Sequence, residues 1–334
     1  MRFRLVHLRG RRLVLAPLLI GLLAGCGGTT ADDAGLPAAY VRVSFGKKDD
    51  PERLLRHYFG GYAAPEGADP FRNGLLLERE GRFYVNLDSL EHRFPGAASA
   101  LIDRDASQVF EWEEVEAFVE QTYAEARALP PTLAALRAEA AYDDGPDWFV
   151  VELDGVMTTA RRRIFVPVEA LREALRSYHV NEETLRYAAG TVIVGEHYVE
   201  DERVETTVMR RRDDGFWDFF VYDAADSLAD STATPPRSLR APVQCVGCHF
   251  GDRLFEPEKS FPARAQPGPH GPRQLYVSDA LRNGDVTARF DEHRKRSDGV
   301  LGIYNTLFVA RLLADRRDGR LPATDAALLE ELGM

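Results

Sequence analysis

Basic residues are scarce in this chain compared with acidic ones. Among its 334 residues, 42 lysines and arginines stand against 53 aspartates and glutamates, which gives a formal net charge of −11 at pH 7. A surface of this sign repels nucleic-acid phosphates and anionic lipid headgroups. The composition therefore excludes nucleic acid as an expected partner, and it makes direct binding of the surface to anionic lipid unfavourable.

The first 25 residues contain an apolar stretch that is too short to span a bilayer. This stretch, Leu13 to Leu23, follows a start with five arginines, and the combination is typical of an export signal peptide. It ends at Leu23-Ala24-Gly25-Cys26, which resembles the lipobox at which bacterial signal peptidase cuts and lipid is attached to the cysteine. The alternative is a short buried helix that ends at a chance cysteine. We expect a signal peptide over residues 1–25 and lipidation of Cys26.

Removal of this peptide would change both the charge and the location of the protein. The five arginines leave with it, so 37 basic residues face 53 acidic ones and the net charge falls to −16. Residues 26–39 are small and polar, as expected for a linker between a lipid anchor and a folded body. The lipid would supply the membrane attachment. The residue after Cys26 is Gly27 rather than an acidic residue, and this favours sorting to the outer membrane. The sequence predicts an exported protein that faces the periplasm.

Cysteine is rare, with three in the whole chain. Two of them fall in Gln244-Cys245-Val246-Gly247-Cys248-His249, which contains the Cys-x-x-Cys-His signature of c-type haem attachment. The two thiols add across the vinyl groups of one porphyrin, and the next residue binds the iron. A zinc half-site lacks a second close pair of ligands, and a redox disulfide lacks its usual βαβ context. We expect one covalent haem c held by Cys245, Cys248 and His249.

Methionine is also rare, and this bears on the sixth ligand of the iron. A second strong ligand makes an electron carrier, whereas an open position makes a gas binder or an enzyme. Only Met334 follows the haem motif, so the methionine ligation of small carriers is not expected. His270 and His293 are the downstream alternatives, although each alone is more typical of a loop or a helix surface.

Residues 103–114 match much of a calcium-binding loop. The EF-hand positions that supply oxygen, one of them through its backbone carbonyl, are occupied by Asp103, Asp105, Ser107, Val109, Glu111 and Glu114. Gln108 replaces the glycine of the sharp turn, and the preceding helix is short. The other interpretation is that the acidic residues cap the helix that follows. A calcium site is therefore one of two hypotheses for this segment.

Hydrophobic periodicity predicts an α+β fold, in which an α-rich N-terminal region precedes an antiparallel β-sheet haem domain and C-terminal helices. The predicted helices cover 52–59, 112–126, 133–141, 168–178, 305–313 and 325–332. The predicted strands cover a hairpin over 75–87 and the segments 148–153, 156–166, 191–199, 205–212 and 216–223. We expect an α-rich domain over 40–145, a haem domain over 146–300 and a helical segment over 301–334.

The segment from about Val150 to Pro262 resembles the cytochrome P-460 family and its β-type cytochrome c-prime relatives. The matching residues are Gly190–Val194, Thr207–Arg212, Gly215–Asp223 and Cys245–His249. The resemblance implies a curved antiparallel sheet that supports a haem with an open distal face. By strand alternation, Phe216, Phe220 and Tyr222 share one face of their strand. We interpret this face as a wall of the haem pocket, with plain core packing as the alternative.

Lysine is absent between Lys48 and Lys259. The resemblance implies that members with a lysine linked to the porphyrin oxidise hydroxylamine, whereas relatives without it bind nitric oxide or carbon monoxide. This chain has Arg210, Arg211 and Arg212 where that lysine is expected, and a guanidinium is not a plausible substitute. The sequence predicts a cytochrome that binds or redox-processes a small diatomic or nitrogen-containing ligand and exchanges electrons with a periplasmic redox partner. A six-coordinate electron carrier and a hydroxylamine oxidase are the alternatives.

Overall fold

A computed structural model describes residues 36–46, 50–62, 69–101, 109–154, 160–181, 187–234, 238–249, 266–268, 271–273 and 299–334. Within these residues, no helix combines the length and the apolar character needed to cross a membrane. The helices are α1 (Pro51–Phe59), α2 (Leu87–Arg93), α3 (Ala97–Ala100), α4 (Trp112–Ala126), α5 (Leu133–Ala140), α6 (Val168–Asn181), α7 (Val243–His249), α8 (Gly299–Arg317) and α9 (Ala323–Glu331).

The strands of the described residues form three sheets. They are β1 (Tyr40–Ser44), β2 (Leu76–Arg79), β3 (Arg82–Asn86), β4 (Val109–Glu111), β5 (Trp148–Asp154), β6 (Arg161–Pro167), β7 (Val192–Val199), β8 (Glu202–Arg211), β9 (Trp217–Asp223), β10 (Leu228–Ala229), β11 (Gln266–Gly268) and β12 (Gly271–Arg273). The sheet orders are β2-β3-β1-β4, β10-β9-β8-β7-β6-β5 and β11-β12.

The four-stranded sheet is built on the predicted hairpin. Glu80 and Gly81 both have positive φ, 55° and 75°, which is the geometry of a two-residue turn between antiparallel strands. β3 also pairs with β1, and β1 pairs in parallel with β4. We predicted the hairpin but not β1 or β4, because strands of five and three residues carry little alternation to detect.

The six-stranded sheet is an antiparallel meander in which sequence neighbours pair with each other from β5 to β10. Most of its connections are short, although the one between β6 and β7 contains α6. Glu200 and Asp201 have positive φ between β7 and β8, and Gly215, with φ of 89°, lies in the turn before β9. Short turns favour pairing of consecutive strands because they close with little loss of entropy. The predicted α+β class with C-terminal helices is confirmed.

Helices cover both faces of this sheet. On one face, the Tyr222 hydroxyl donates to the carbonyl of Pro130 at 2.8 Å, and Tyr142 packs edge-on against Phe165. That face is therefore filled by the segment from α4 through α5. On the other face, Phe149 packs against Phe308 of α8, with ring centroids 5.5 Å apart. This coverage is seen at β9, where six of the seven residues are buried.

Side chains from α1 and α4 complete the outer edge of β9. β10 pairs with only part of β9, at Val221 and Tyr222. Further along, His57 Nε2 lies 2.9 Å from the Trp217 carbonyl, and the Phe219 amide donates to the Tyr123 hydroxyl at 3.0 Å. Buried backbone groups need such partners. The N-terminal helices are thus joined to the sheet through its backbone as well as through apolar packing.

Tyr123→Phe should destabilise the protein by about 1–3 kcal/mol, because it leaves the buried Phe219 amide without its acceptor. The phenyl ring remains, so the loss isolates the hydroxyl. Urea denaturation of the variant would measure the change in the free energy of unfolding. Tyr40→Phe, on a half-buried tyrosine of β1, is the matched control and should change this free energy by much less. Equal stability of the Tyr123 variant and the native chain would contradict the proposed edge interaction.

Candidate functional site

The predicted haem-attachment residues lie on α7, a helix of seven residues. Val243 and Val246 are buried on its inner side, and Cys245 is half-buried against the hydrophobic core. Positions 245 and 248 are three residues apart on this helix, which is slightly less than one turn. The helical backbone thus gives the two cysteine positions the close spacing that attachment to one porphyrin requires.

An ion-pair cluster fastens the start of α7 to α4. Arg240 Nη1 lies 2.8 Å from Glu120 Oε1, and its Nη2 lies 3.5 Å from Glu116 Oε2. Glu116 also accepts a hydrogen bond from the Trp112 indole at 2.6 Å. The Arg240 amide donates to the Gln244 side chain at 2.7 Å. α7 is therefore positioned by charge-assisted contacts on one side and by buried valines on the other.

Tyr58 of α1 packs against Trp112 of α4, close to this ion-pair cluster. Its side chain is 1% exposed, and its ring lies 5.4 Å from that of Trp112. Burial raises the pKa of the Tyr58 phenol well above its ordinary value, the negative charges of Glu116 and Glu120 act in the same direction, and Arg240 opposes them. The phenol therefore stays protonated, and it lies within electrostatic range of Cys245.

The segment that leads into α7 is held by the buried carboxylate of Glu205. This carboxylate accepts hydrogen bonds from the backbone amides of Ala233 and Thr234 and from the Thr234 hydroxyl. His197 Nδ1 lies 3.1 Å from the same carboxylate, and His197 Nε2 lies 3.1 Å from the Thr207 hydroxyl. β7 and β8 thus fix the chain shortly before the haem motif. The sequence analysis missed this cluster, since isolated Glu and His residues on strands carry no pattern.

The three residues predicted to wall the haem lie on the β9 side of the site. Tyr222 and Phe220 are 0% and 3% exposed, and Phe220 packs under Arg210 at 5.7 Å. Phe216 is half-buried and lies 5.8 Å from the ring of His57. Tyr222 bonds to the segment after α4, whereas α7 packs against α4 itself near Glu116 and Glu120. The described contacts of these residues are those of a packed core, and their role at a haem stays a prediction.

A buried charge network that sequence reasoning missed lies beside β9. Asp218 is 2% exposed and lies 3.2 Å from the Tyr123 hydroxyl. Three guanidinium groups surround it within 3.6 Å, those of Arg127, Arg210 and Arg212. The Gly60-Gly61 pair makes this possible, because a Cβ at Gly61 would lie 2.1 Å from Arg127 Nη1 and one at Gly60 would lie 2.4 Å from Arg212 Nη2. The adjacent glycines at 60 and 61 and the run of arginines at 210–212 are the sequence features that could have indicated this network.

Glu111 and Glu114 of the calcium-loop hypothesis form a capping box at the start of α4. The Glu111 side chain accepts from the N3 backbone amide, and the Glu111 amide donates to Glu114 Oε2 at 3.2 Å. Val109 is the first residue of β4. Asp103, Asp105 and Ser107 lie outside the described residues. The helix-capping interpretation therefore accounts for two of the predicted calcium ligands, and the calcium site itself stays a prediction.

Cys26, His270, His293 and Lys259 also lie outside the described residues, so their predicted roles remain untested. Within the part of the chain that the structure describes, no three His, Cys, Asp or Glu side chains are grouped to hold a metal ion. Two surface clefts occur away from α7. One of about 590 Å³ lies between α5, α6 and residues 190–192, and one of about 430 Å³ lies over Glu196.

Comparison with protein-family models, with curated proteins and with solved structures gives no match to this chain.

Acidification should destabilise the protein through its buried histidines. Burial, with the charge of Arg162, lowers the pKa of His197 to about 3, while an unfolded histidine titrates near 6.5. The unfolded state therefore binds the proton more tightly below about pH 6.5, and stability present above that pH is lost towards pH 3 by about 1.4 kcal/mol per pH unit for this group. His57, whose pKa is lowered by burial and by Arg212 and Arg127, acts in the same direction.

His197→Gln should flatten this dependence, as measured by urea denaturation between pH 4 and pH 7. The exposed His92 provides the control substitution to glutamine. If the slope with pH were the same in both variants and in the native chain, His197 would not be the source of the acid sensitivity.

Proposed function

We propose that this chain is an exported, lipid-anchored cytochrome with one haem c, which binds or redox-processes a small ligand at an open iron. The Cys-x-x-Cys-His motif at Cys245–His249 carries the proposal. The cationic and apolar N-terminus that ends at Cys26 supports it independently, because this kind of haem attachment takes place outside the cytoplasm. Neither feature depends on the other.

The described residues around α7 fit a covalently held porphyrin. Cys245 is half-buried against the apolar core rather than exposed in water, and the helix is anchored at its start by Arg240. Cys245 and Cys248 would hold the haem, and His249 would bind its iron. A bound haem c supplies one-electron chemistry and a site for a diatomic ligand. The protein's own contribution is to fix the helix and to exclude water from its inner side.

The residues available as a sixth ligand favour an open position over a carrier. Met334 is the only methionine that follows the motif in this sequence. It lies shortly after the end of α9 and packs against the core. Met209 lies on β8, opposite Phe219 of β9 and packed against the core. Arg210 and Arg211 at the end of β8, and Arg212 after it, stand where the resemblance implies a porphyrin-linked lysine. The proposal is therefore a small-ligand cytochrome, and hydroxylamine oxidation is not favoured.

A six-coordinate electron carrier is the second candidate, since His270 and His293 both follow the haem motif. Either imidazole would close the iron and leave electron exchange with a periplasmic redox partner as the function. The two candidates share the covalent haem and differ only in the occupant of the sixth position. A probe of that position therefore separates them.

Cys248→Ser should abolish or strongly weaken covalent haem attachment, because it removes one of the two thioether bonds. The chain would be produced in a periplasm that contains the haem-attachment machinery and examined by mass spectrometry and by haem staining of denaturing gels. Gln244→Ala, on the same helix but outside the motif, is the matched control and should retain haem. Haem staining of the Cys245→Ser/Cys248→Ser double variant after acid extraction, in which neither thioether can form, would refute covalent attachment at this site.

Carbon monoxide should shift the absorption spectrum of the ferrous protein, because an open or weakly closed iron binds it. The measurement is an optical titration, with electron paramagnetic resonance of the ferric state as a second readout. A low-spin ferrous protein that does not respond to carbon monoxide would refute the open site. Loss of that low-spin signal in His270→Ala or His293→Ala would then identify the ligand of a carrier.

A further inference from the structure

The smaller of the two clefts contains a buried charge. It has a volume of about 430 Å³ and lies over β6 and β7, beside the end of α5. The side chain of Glu196, from β7, is only 5% exposed and forms the floor of the cleft. A buried carboxylate is costly unless hydrogen bonds satisfy it, and a cleft of this volume is in the range of small-molecule sites. The groups around Glu196 therefore determine what the cleft can bind.

Three side chains surround the Glu196 carboxylate. Arg137 Nη2 donates to its Oε1 at 3.0 Å, and the Tyr198 hydroxyl donates to its Oε2 at 2.7 Å. The Tyr142 hydroxyl lies 3.4 Å from Oε1. Burial, reinforced by the charge of Glu196, raises the pKa of the Tyr142 phenol to about 12, and the pKa of the Tyr198 phenol is raised by the same causes. Both phenols therefore remain protonated and continue to donate to the carboxylate.

The two arginines of the cleft are held in fixed orientations. The guanidinium of Arg137 lies over the ring of Tyr142 at 5.1 Å, and its Nε donates to the Tyr142 hydroxyl at 3.0 Å. The guanidinium of Arg163 lies over the ring of Phe165 at 5.2 Å, and its Nη2 donates to Asp144 at 2.5 Å. Each side chain is thus fixed by a ring and by a hydrogen bond before a ligand arrives. Such preorganisation lowers the entropy that binding would cost.

The cleft retains hydrogen-bonding capacity of both kinds. Its lining includes two arginines and three carboxylates, so their charges nearly cancel. A carboxylate can accept about four hydrogen bonds, and a guanidinium can donate about five. Within the described residues, Glu196 accepts three and Arg137 donates two. The cleft thus presents charges that are mostly paired already, together with spare donors and acceptors.

These features favour a ligand that is neutral and rich in hydroxyl groups. A charged ligand would have to break an existing ion pair, whereas a hydroxyl group both donates and accepts and can join a pair without breaking it. We propose that this cleft binds a neutral sugar, whose adjacent hydroxyl groups donate to Glu196 and accept from Arg137. The lining residues all lie outside α7, so this binding does not depend on the haem.

The test is saturation-transfer difference NMR of the full chain with D-glucose, D-galactose and N-acetylglucosamine, and with glycine as a zwitterionic competitor. At least one sugar should bind saturably in the millimolar range, and glycine should not displace it. Arg137→Lys should weaken this binding about tenfold, because it keeps the positive charge but removes the planar set of N–H groups. Arg176→Lys on α6 is the matched control and should bind as the native chain does, since Arg176 is also ion-paired and is 41% exposed against 48% for Arg137.

A second measurement needs no variant. Hydrogen–deuterium exchange of the native chain should slow in residues 137–144 and 196–198 when the sugar that binds is added. The proposal is wrong if none of the three sugars binds in the millimolar range, if glycine displaces the bound sugar, or if the sugar slows exchange only elsewhere in the chain. Unchanged affinity of Arg137→Lys would also overturn the assignment to this cleft. None of these results requires haem, so they leave the proposed cytochrome unaffected.

Discussion

The fold depends on the burial of positive charge against the C-terminal ends of helices. Arg127 and Arg212 both donate to the carbonyl of His57, at 2.7 and 3.0 Å, near the end of α1. Arg210 donates to the carbonyl of Arg127, just beyond the end of α4, at 2.7 Å. Carbonyls at a helix C-terminus lack intrahelical partners and carry partial negative charge. Together with Asp214, which accepts from Arg212 Nε at 3.0 Å, these carbonyls supply the negative potential that the carboxylate of Asp218 alone could not give to three guanidiniums.

The same network explains why the helical layer and the sheet form one body. Asp218 belongs to β9, Arg210 and Arg212 flank the end of β8, and the carbonyls belong to α1 and α4. Removal of one partner of a buried ion pair typically costs about 3–5 kcal/mol, because the other partner is left unsatisfied. The glycines at 60 and 61 are required for the guanidiniums to approach α1. Neither layer could therefore satisfy its polar groups without the other.

Elements that depend on local periodicity could be predicted from the sequence. Polar clusters that form only through tertiary contacts could not. α4 begins and ends where we predicted, because its apolar spacing and the acidic residues before it are local signals. The capping by Glu111 and Glu114 was foreseen as an alternative for the same reason. The haem motif could be read from the sequence because its chemistry requires adjacent residues, and haem attachment itself stays a prediction. Glu205, His197 and Asp218 are single polar residues on strands, and only the pairing of distant segments gives them partners. The face of Phe220 and Tyr222 was predicted, but alternation alone cannot say which helix covers it.

One face of α4 contacts both the segment before α7 and the buried charge network at β9. This face carries Glu116, Glu120, Tyr123 and Arg127. The spacings of four, three and four residues place all of them on one side of the helix. The acidic end contacts Arg240 at α7, and the end with Arg127 contacts Asp218 at β9, about 16 Å away along the axis. Arg127 at the C-terminus complements the helix dipole, whereas Glu116 and Glu120 lie in the second and third turns, beyond the first turn in which that effect acts. One helix thus presents negative charge to the start of α7 and positive charge to the sheet.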